Sequence, residues 1–296
     1  MHNSILVEMP EIKTINSPTI NLIDESFDSK KSNAYHLSIL VSEKHFSFCV
    51  LDTDTNKYLA LQARPIPPEG REFLPFGEMK EGLLGCHLFK SVTCAVAHNK
   101  FTIVPSSLFD EENKKSLLEF NHRVDGEEKI HSDALLNLDA KNIFTIQRSL
   151  ESEIRMHFIN VHFIHNSTSF IEGLLIQNKN AKGKKVFADF HSSYFEIVIL
   201  ENGKLVFSNA FKYKVPEDIA YYILFVYEQL NLNPEEVELV LSGEIEKTAK
   251  EHSLLYNYIR HVKFASLPEG FKYSYKFHEV QSHKFFSLFA QYLCVS

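Results

Sequence analysis

Two stretches of this chain carry the same spacing of apolar and polar positions. Leu37 to Leu51 reads LSILVSEKHFSFCVL, two apolar runs parted by Ser42, Glu43 and Lys44. Val186 to Leu200 reads VFADFHSSYFEIVIL and is parted in the same way by His191, Ser192 and Ser193. Each run has the length and residue types of a strand, and the polar breaks are turn residues. Placing Phe46 on Phe195 also places Phe48 on Ile197, Val50 on Ile199 and Asp52 on Glu201, a constant offset of 149 residues.

The parallel continues beyond the hairpins. Thr53 to Asn56 forms the next turn in the first half, and Asn202-Gly203, a strong two-residue hairpin signal, forms it in the second, so the offset becomes 147. Third strands follow, Lys57 to Arg64 and Lys204 to Tyr213. Each half then has a helix start, Pro67-Pro68-Glu69 and Pro216-Glu217-Asp218, where proline suits the first turn and carboxylates suit the positive end of the dipole. The second helix is the clearer: Ile219, Tyr222, Ile223, Val226 and Leu230 share one face, and Asn231 to Pro234 stops it. Short strands come next, Val92 to Ala97 and Val237 to Leu241. The spacing then predicts a strand over Phe101 to Val104 and helices over Ser107 to Phe120 and Lys247 to Ile259. Ser149 to Gln177 reads as helix, strand (Phe158 to Ile164) and helix. Glu279 to Cys294 reads as a terminal helix whose wide apolar face suits packing back on the first lobe.

This duplication predicts an α/β fold of two similar lobes, each a mixed sheet with a three-stranded antiparallel meander and flanking helices. Lobe one spans 1–177, with 1–34 as an extended segment and 279–296 as a candidate addition; lobe two spans 178–296. The polar run Gln177 to Lys185 joins them. At 296 residues the chain is long enough for two cores, and with 44% apolar residues it has the material to fill them. A net charge of -7 argues against a general nucleic-acid or anionic-membrane surface. The four cysteines lack paired spacing and read as reduced core residues. Met1 to Pro10 has no basic n-region and no apolar run reaches about 18 residues, so the cytoplasm is the expected compartment.

The meander followed by alternating helices and strands resembles the actin, Hsp70 and sugar-kinase superfamily. From about Tyr35 to Ser296 the chain is similar to a Bacteroidetes domain-of-unknown-function family with an actin-like ATPase, ribonuclease H-like fold. The phrases carrying this are HLSILVSEKHFSFCVLD, FTIVPSSLF, VFADFHSSYFEIVIL, NGKLVFSNAFKY, EDIAYYILFVYEQLNL and VELVLSGEIE. The resemblance implies a nucleotide cleft in which each first hairpin holds phosphate through an Asp-x-Gly-Thr-like turn. Glycine there lets backbone N–H groups reach the phosphate, and the acid organises Mg²⁺.

This sequence departs from that pattern at both hairpins. The first has Ser42, Glu43 and Lys44 with Leu40 at the acid's position, so lobe one is not expected to grip a phosphate. The second keeps Asp189 but follows it with Phe190, His191, Ser192 and Ser193. The adenosine-side motif, Leu-Ser-Gly-Gly in the superfamily, here reads Leu241, Ser242, Gly243, Glu244. The candidate vestigial site is therefore Asp189, Ser192, Ser193, Ser242 and Gly243, with no catalytic residue and no metal ligand assigned.

Each candidate has a plainer reading. Asp189 serves as a turn-capping carboxylate, and Gly243 as a strand-to-helix turn. Cys86, His87, Cys94 and His98 come nearest to a metal cluster without matching a zinc spacing, and His157, His162 and His165 do no better. The runs Phe211-Lys212-Tyr213-Lys214 and Phe271 to Phe277 alternate aromatic and basic residues as a base-stacking platform would, but also as a strand with one buried aromatic face would. The leading expectation is a non-catalytic binding or assembly module with a protein or peptide partner and no cofactor. The alternatives are a weak ATPase or phosphotransferase using ATP and Mg²⁺ in lobe two, and nucleic-acid binding through the Lys-aromatic strands.

Overall fold

The computed structural model describes residues 19–66, 88–158 and 160–295. In the first half the strands are β1 (Ile20–Ile23), β2 (Tyr35–Val41), β3 (His45–Asp52), β4 (Lys57–Pro65), β5 (Ser91–Val96), β6 (Phe101–Pro105), β7 (Glu128–Leu135), β8 (Ala140–Gln147) and β9 (Val161–His165). The helices are α1 (Lys114–Glu119), α2 (Arg148–His157) and α3 (Asn166–Gln177). The second half contributes β10 (Lys184–Phe190), β11 (Tyr194–Glu201), β12 (Lys204–Lys212), α4 (Pro216–Gln229), β13 (Leu239–Gly243), α5 (Lys250–Tyr258), β14 (Val262–Phe264), β15 (Lys272–Tyr273) and α6 (Phe286–Ala290). The helix expected at Pro67 lies outside the described residues, as do Cys86 and His87.

The duplication seen in the sequence is a duplication of topology. One sheet runs β4-β3-β2-β5-β9 and the other β12-β11-β10-β13-β14, in each case an antiparallel meander extended by two parallel strands. Both meanders carry an irregularity at the same point. The register slips between Val50 and Leu51 in β3 and between Ile199 and Leu200 in β11, positions 149 residues apart. At the second turn Asn202 and Gly203 both have positive φ, 52° and 73°, the backbone that a tight primed hairpin requires. Each sheet covers its own core, Ile39, Phe48 and Cys94 in one and Ile197, Ile223 and Leu241 in the other.

Several expected elements differ, among them the strand over Phe158–Ile164, which begins at Val161 because Phe158 ends the preceding helix. The helix over Ser107–Phe120 shrinks to α1, because the carboxylate of Asp110 takes up the amides of Glu112 and the side chain of Asn113 and holds that stretch as a turn. The strand expected from Val237 begins at Leu239, since Val237 N–H closes the Asn233 turn and its carbonyl receives the Tyr227 hydroxyl. The terminal helix reduces to α6 between two 3₁₀ turns, Ser282–Phe285 and Gln291–Cys294.

The terminal segment packs where its apolar face suggested. Phe289 and Leu288 join Cys49, Leu51, Tyr58 and Leu61 of β3 and β4, and Gln291 donates to the Ile39 carbonyl at 2.9 Å. On its other side α6 crosses α3 closely, because Gly173 leaves no side chain between them. A Cβ there would stand 2.9 Å from that of Ala290 and 3.0 Å from the Phe286 ring. Gly173→Ala is accordingly expected to destabilise the protein by roughly 1–3 kcal/mol through overpacking, whereas Gly126→Ala, with nothing within 4 Å, is expected to stay near wild type in the same urea titration.

The aromatic-basic run Phe271 to Phe277 is not one strand. Only Lys272–Tyr273 pairs, parallel to β4, before Ser274 caps a 3₁₀ turn over Tyr275–Glu279. Phe277 is buried and Tyr273 stacks on Tyr58 at 5.4 Å, whereas Tyr275 is exposed and donates to Glu25; Lys276 donates to the Ile23 carbonyl and pairs with Glu25. Among the described residues no helix is long and apolar enough to cross a membrane.

One component has no counterpart in the second half. Between β5 and β9 lies a separate three-stranded antiparallel sheet, β6-β8-β7. It positions the start of α3.

Candidate functional site

The first turn of α3 is polar and fully buried, and it sits where the three sheets converge. Asn166 donates to Asp189 Oδ2 at 3.0 Å, Ser167 to Glu196 Oε1 at 2.8 Å, and Thr168 to Asp133 Oδ1 at 2.9 Å. Three successive side chains thus serve three carboxylates, two from lobe two and one from β7. The positive end of the helix dipole favours that collection of acids. His165 precedes the helix and caps it, accepting the Ser167 amide on Nδ1 and donating through Nε2 to the His98 carbonyl.

Asp189 and Glu196 stand directly opposite each other on β10 and β11. Like charges across an antiparallel pair repel, so the two acids differ. Burial drives the Glu196 carboxyl up to about 7, and Asp189 beside it adds to that. Asp189 goes the other way. Burial pushes it up as well, but His191 and the hydrogen bonds of Ser242 and Asn166 outweigh this and hold it below its ordinary range. His191 Nε2 lies 3.2 Å from Asp189 Oδ2, and Ser287 donates to the same oxygen at 3.3 Å. Asp189 is therefore not the turn cap that the plainer sequence reading expected; its lone pairs are taken up by a buried network. Asp133, also buried, is raised to about 7 by desolvation.

The other candidates fall around this pair. Ser242 is the parallel partner of Asp189, and Gly243 of Phe190. Gly243 has φ +77°, and a Cβ there would stand 2.2 Å from the Phe190 carbonyl oxygen. The glycine is required by close strand packing and by the turn it begins. Ser192 donates at 3.0 Å to Glu244, the residue in place of the motif's second glycine. Ser193 is apart from the rest, exposed on the turn.

Glu244 also reaches across to lobe one, where His45 Nδ1 lies 2.7 Å from its Oε1. With the pair 36% and 31% exposed, such a contact is worth about 0.2–1 kcal/mol, so it fixes geometry more than stability. Ser42 lines two cavities, and His45 and Glu244 themselves line the first of them. One, about 350 Å³, is walled by Leu40, Arg64, Asp189 and Phe285; the other, about 310 Å³, by Lys100, Gln147 and Tyr194. Among the described residues no three His, Cys, Asp or Glu side chains are grouped to hold a metal ion, and Cys94 lies buried in the lobe-one core.

Sequence reasoning reached Asp189, Ser242 and Gly243 as neighbours. It missed Asn166, Glu196, Asp133, His45 and Ser287. Glu196 alone left a signal, a carboxylate in the otherwise apolar run YFEIVIL.

The sequence profile of the family described as "Protein of unknown function (DUF3822)" matches residues 24–262. The chain belongs to the DUF3822 family. Among proteins of curated function none matches the sequence. Among solved structures, this DUF3822 protein is similar to a Bacteroides thetaiotaomicron protein described as having an actin-like ATPase fold and unknown function. The two share 26% identity at a TM-score of 0.72, over 81% of this chain and 93% of that one. It is also similar in fold to a chain of the PilM-PilN type IV pilus biogenesis complex, with 14% identity, a TM-score of 0.55 and coverage of 88% and 97%. The fold of this DUF3822 protein is thus the actin-like ATPase fold that its duplicated meanders suggested.

Proposed function

We propose that this DUF3822 protein is a non-catalytic binding or assembly module that retains the actin-like fold and engages a protein or peptide partner. The observation that carries this reading is the Glu244 side chain, which lies between the hairpin turns and joins Ser192 of lobe two to His45 of lobe one. A carboxylate there opposes the phosphates that a nucleotide would bring. The surrounding residues also fit a Mg²⁺-nucleotide poorly. Leu40 replaces the acid of lobe one, Asp189 is committed to Asn166, Ser287 and His191, and Gly243 is packed against Phe190. Support for a protein partner comes from the fold's use elsewhere, PilM being found in complex with PilN.

Melting curves with and without millimolar Mg-ATP, Mg-ADP and AMP test the reading. A ligand present at 100 times its dissociation constant stabilises by about 2.7 kcal/mol, so even weak binding registers. The expected result is no shift and no phosphate release. A nucleotide-dependent rise in melting temperature, lost in Asp189→Asn, would replace this reading with a weak ATPase working through lobe two.

A further inference from the structure

The two sheets, alike in strand order, differ at one edge. In lobe one the outer side of β4 is covered. β1 lies antiparallel on it, with Ile20 against Ala63 and Leu22 against Leu61, and the Asp24 amide donates to the Leu59 carbonyl at 2.7 Å. β15 covers the rest, its Lys272 amide donating to the Asn56 carbonyl and the following Ser274 amide to that of Tyr58. β12 is the counterpart of β4, 147 residues on, and it ends its sheet. Among the described residues no strand lies outside it. The Ala210 N–H, at the position equivalent to Ala63, is met instead by the side chain of its own neighbour, Asn209 Oδ1, at 3.0 Å.

We propose that the open edge of β12 is a docking site on which an extended, acidic segment of a partner protein adds as an antiparallel strand, as β1 adds to β4. The inference rests on the preceding reading in taking the partner to be a polypeptide, and it names where that polypeptide binds and in what form. Edge addition draws its affinity from main-chain hydrogen bonds and its selectivity from the side chains that flank them.

The flanking residues describe the segment. Lys204 and Lys212 stand exposed at the two ends of β12, with Lys214 just beyond, and among the described residues none of the three forms an ion pair, although Glu201 stands across from Lys204. They attract an acidic strand and disfavour a second copy. Antiparallel pairing of two whole β12 edges, centred on Ser208, would set Lys204 of each against Lys212 of the other, and like charges opposed across strands repel. On the face of β12 turned to lobe one, Ala210 packs with Leu150 against the first core. On the other face α4 carries an aromatic series from the core to the surface. Phe195 packs on Phe211 with ring centroids 5.8 Å apart, Phe211 on Tyr222 at 5.1 Å, Tyr222 on Tyr221 at 5.2 Å and Tyr221 on Phe225 at 6.2 Å. Tyr221 and Phe225 are 63% and 43% exposed, and aromatic residues of this kind are enriched where proteins meet. Successive side chains of a strand point to opposite faces. A segment that alternates apolar with acidic residues therefore sets one series against this aromatic shelf and leaves the other to reach the lysines.

The test uses the whole chain and a dye-labelled peptide, EVEIEVE, with KVKIKVK and the proline-interrupted EVEPEVE as controls, followed by fluorescence anisotropy and amide hydrogen exchange. The expected result is fast exchange at Ser208 and Ala210 in the chain alone, slowed by saturating EVEIEVE, with both controls binding more weakly. Ala210→Pro removes an N–H that the sheet does not use, a position at which an edge strand tolerates proline. It should cost about tenfold in affinity for EVEIEVE, the worth of one main-chain hydrogen bond, with little change in melting temperature. Should that variant fold poorly, Lys212→Glu, an exposed change, should weaken EVEIEVE and strengthen KVKIKVK. Slow exchange in the chain alone, meaning that another part of the chain or a second copy already covers the edge, would overturn the proposal. So would a lack of protection by EVEIEVE, or equal affinity for EVEPEVE. Melting curves with Mg-ATP keep the two readings apart. A nucleotide shift with β12 still protected by peptide fails the preceding reading alone, and no shift with β12 unprotected fails this one alone.

Discussion

Gly243→Ala is expected to destabilise this protein by about 2–5 kcal/mol, the sum of two separable effects. Holding a non-glycine residue at the observed φ of +77° costs about 1–2 kcal/mol. The added methyl group would also stand 2.2 Å from the carbonyl oxygen and 2.7 Å from the nitrogen of Phe190. Those are backbone atoms of β10, so relief requires a strand to move, and overpacking of this kind costs about 1–3 kcal/mol. Gly270→Ala separates the two effects, because that glycine has φ +90° and nothing within 4 Å. Urea unfolding of both variants should therefore leave Gly270→Ala short by the conformational part alone. A Gly243→Ala protein within about 0.5 kcal/mol of wild type, the range of an ordinary surface change, would show that the β10–β13 junction is looser than described.

The second large effect is expected from Asp189→Ala, a loss of about 3–5 kcal/mol, as when one member of a buried charged pair is removed. The substitution strands His191, Asn166 and Ser287 together. Asp189→Asn keeps an acceptor and most of the volume, so a smaller loss is expected. The sign also distinguishes roles for this residue. Acids kept for ligand binding are often stored at a cost to stability, so removing one is neutral or stabilising. An Asp189→Ala protein at least as stable as wild type in urea would return the residue to a ligand-binding role.

Much of the fold was legible because duplication turns weak local signals into a comparison. A single run such as VELVL could lie in a helix or a strand, but its place after a meander and a helix, matched by VTCAVA in the other half, settles its type. The strands β7 and β8 had no such second copy. β8 pairs with both β6 and β7, yet the mixed runs EKIHSDAL and AKNIFTIQ lack the continuous apolar pattern of the meander strands.

The site was less legible for a different reason. The facing of Asp189 and Glu196 could be read only once the turn is taken as the two residues Ser192-Ser193, since His191 N–H already pairs with the Tyr194 carbonyl. The meeting of His45 with Glu244 could not. It joins residues 199 positions apart, and neither shows anything in its local pattern beyond a polar side chain at a turn. Asn166 and Asp133 are equally silent, because a polar residue at a helix start or on an edge strand is what solvent exposure also produces.

The added three-stranded sheet bears on how small a working version of this protein could be made. Asp133 on β7 takes both the amide of His165 and the hydroxyl of Thr168, and Asn142 on β8 reaches the same threonine. Deleting residues 101–147 to obtain a symmetric pair of lobes would look harmless on a topology diagram, since the insertion interrupts neither meander. It would nevertheless strip the support from the helix start that both lobes share. The piece that breaks the symmetry is the one that the symmetric parts depend on for their alignment.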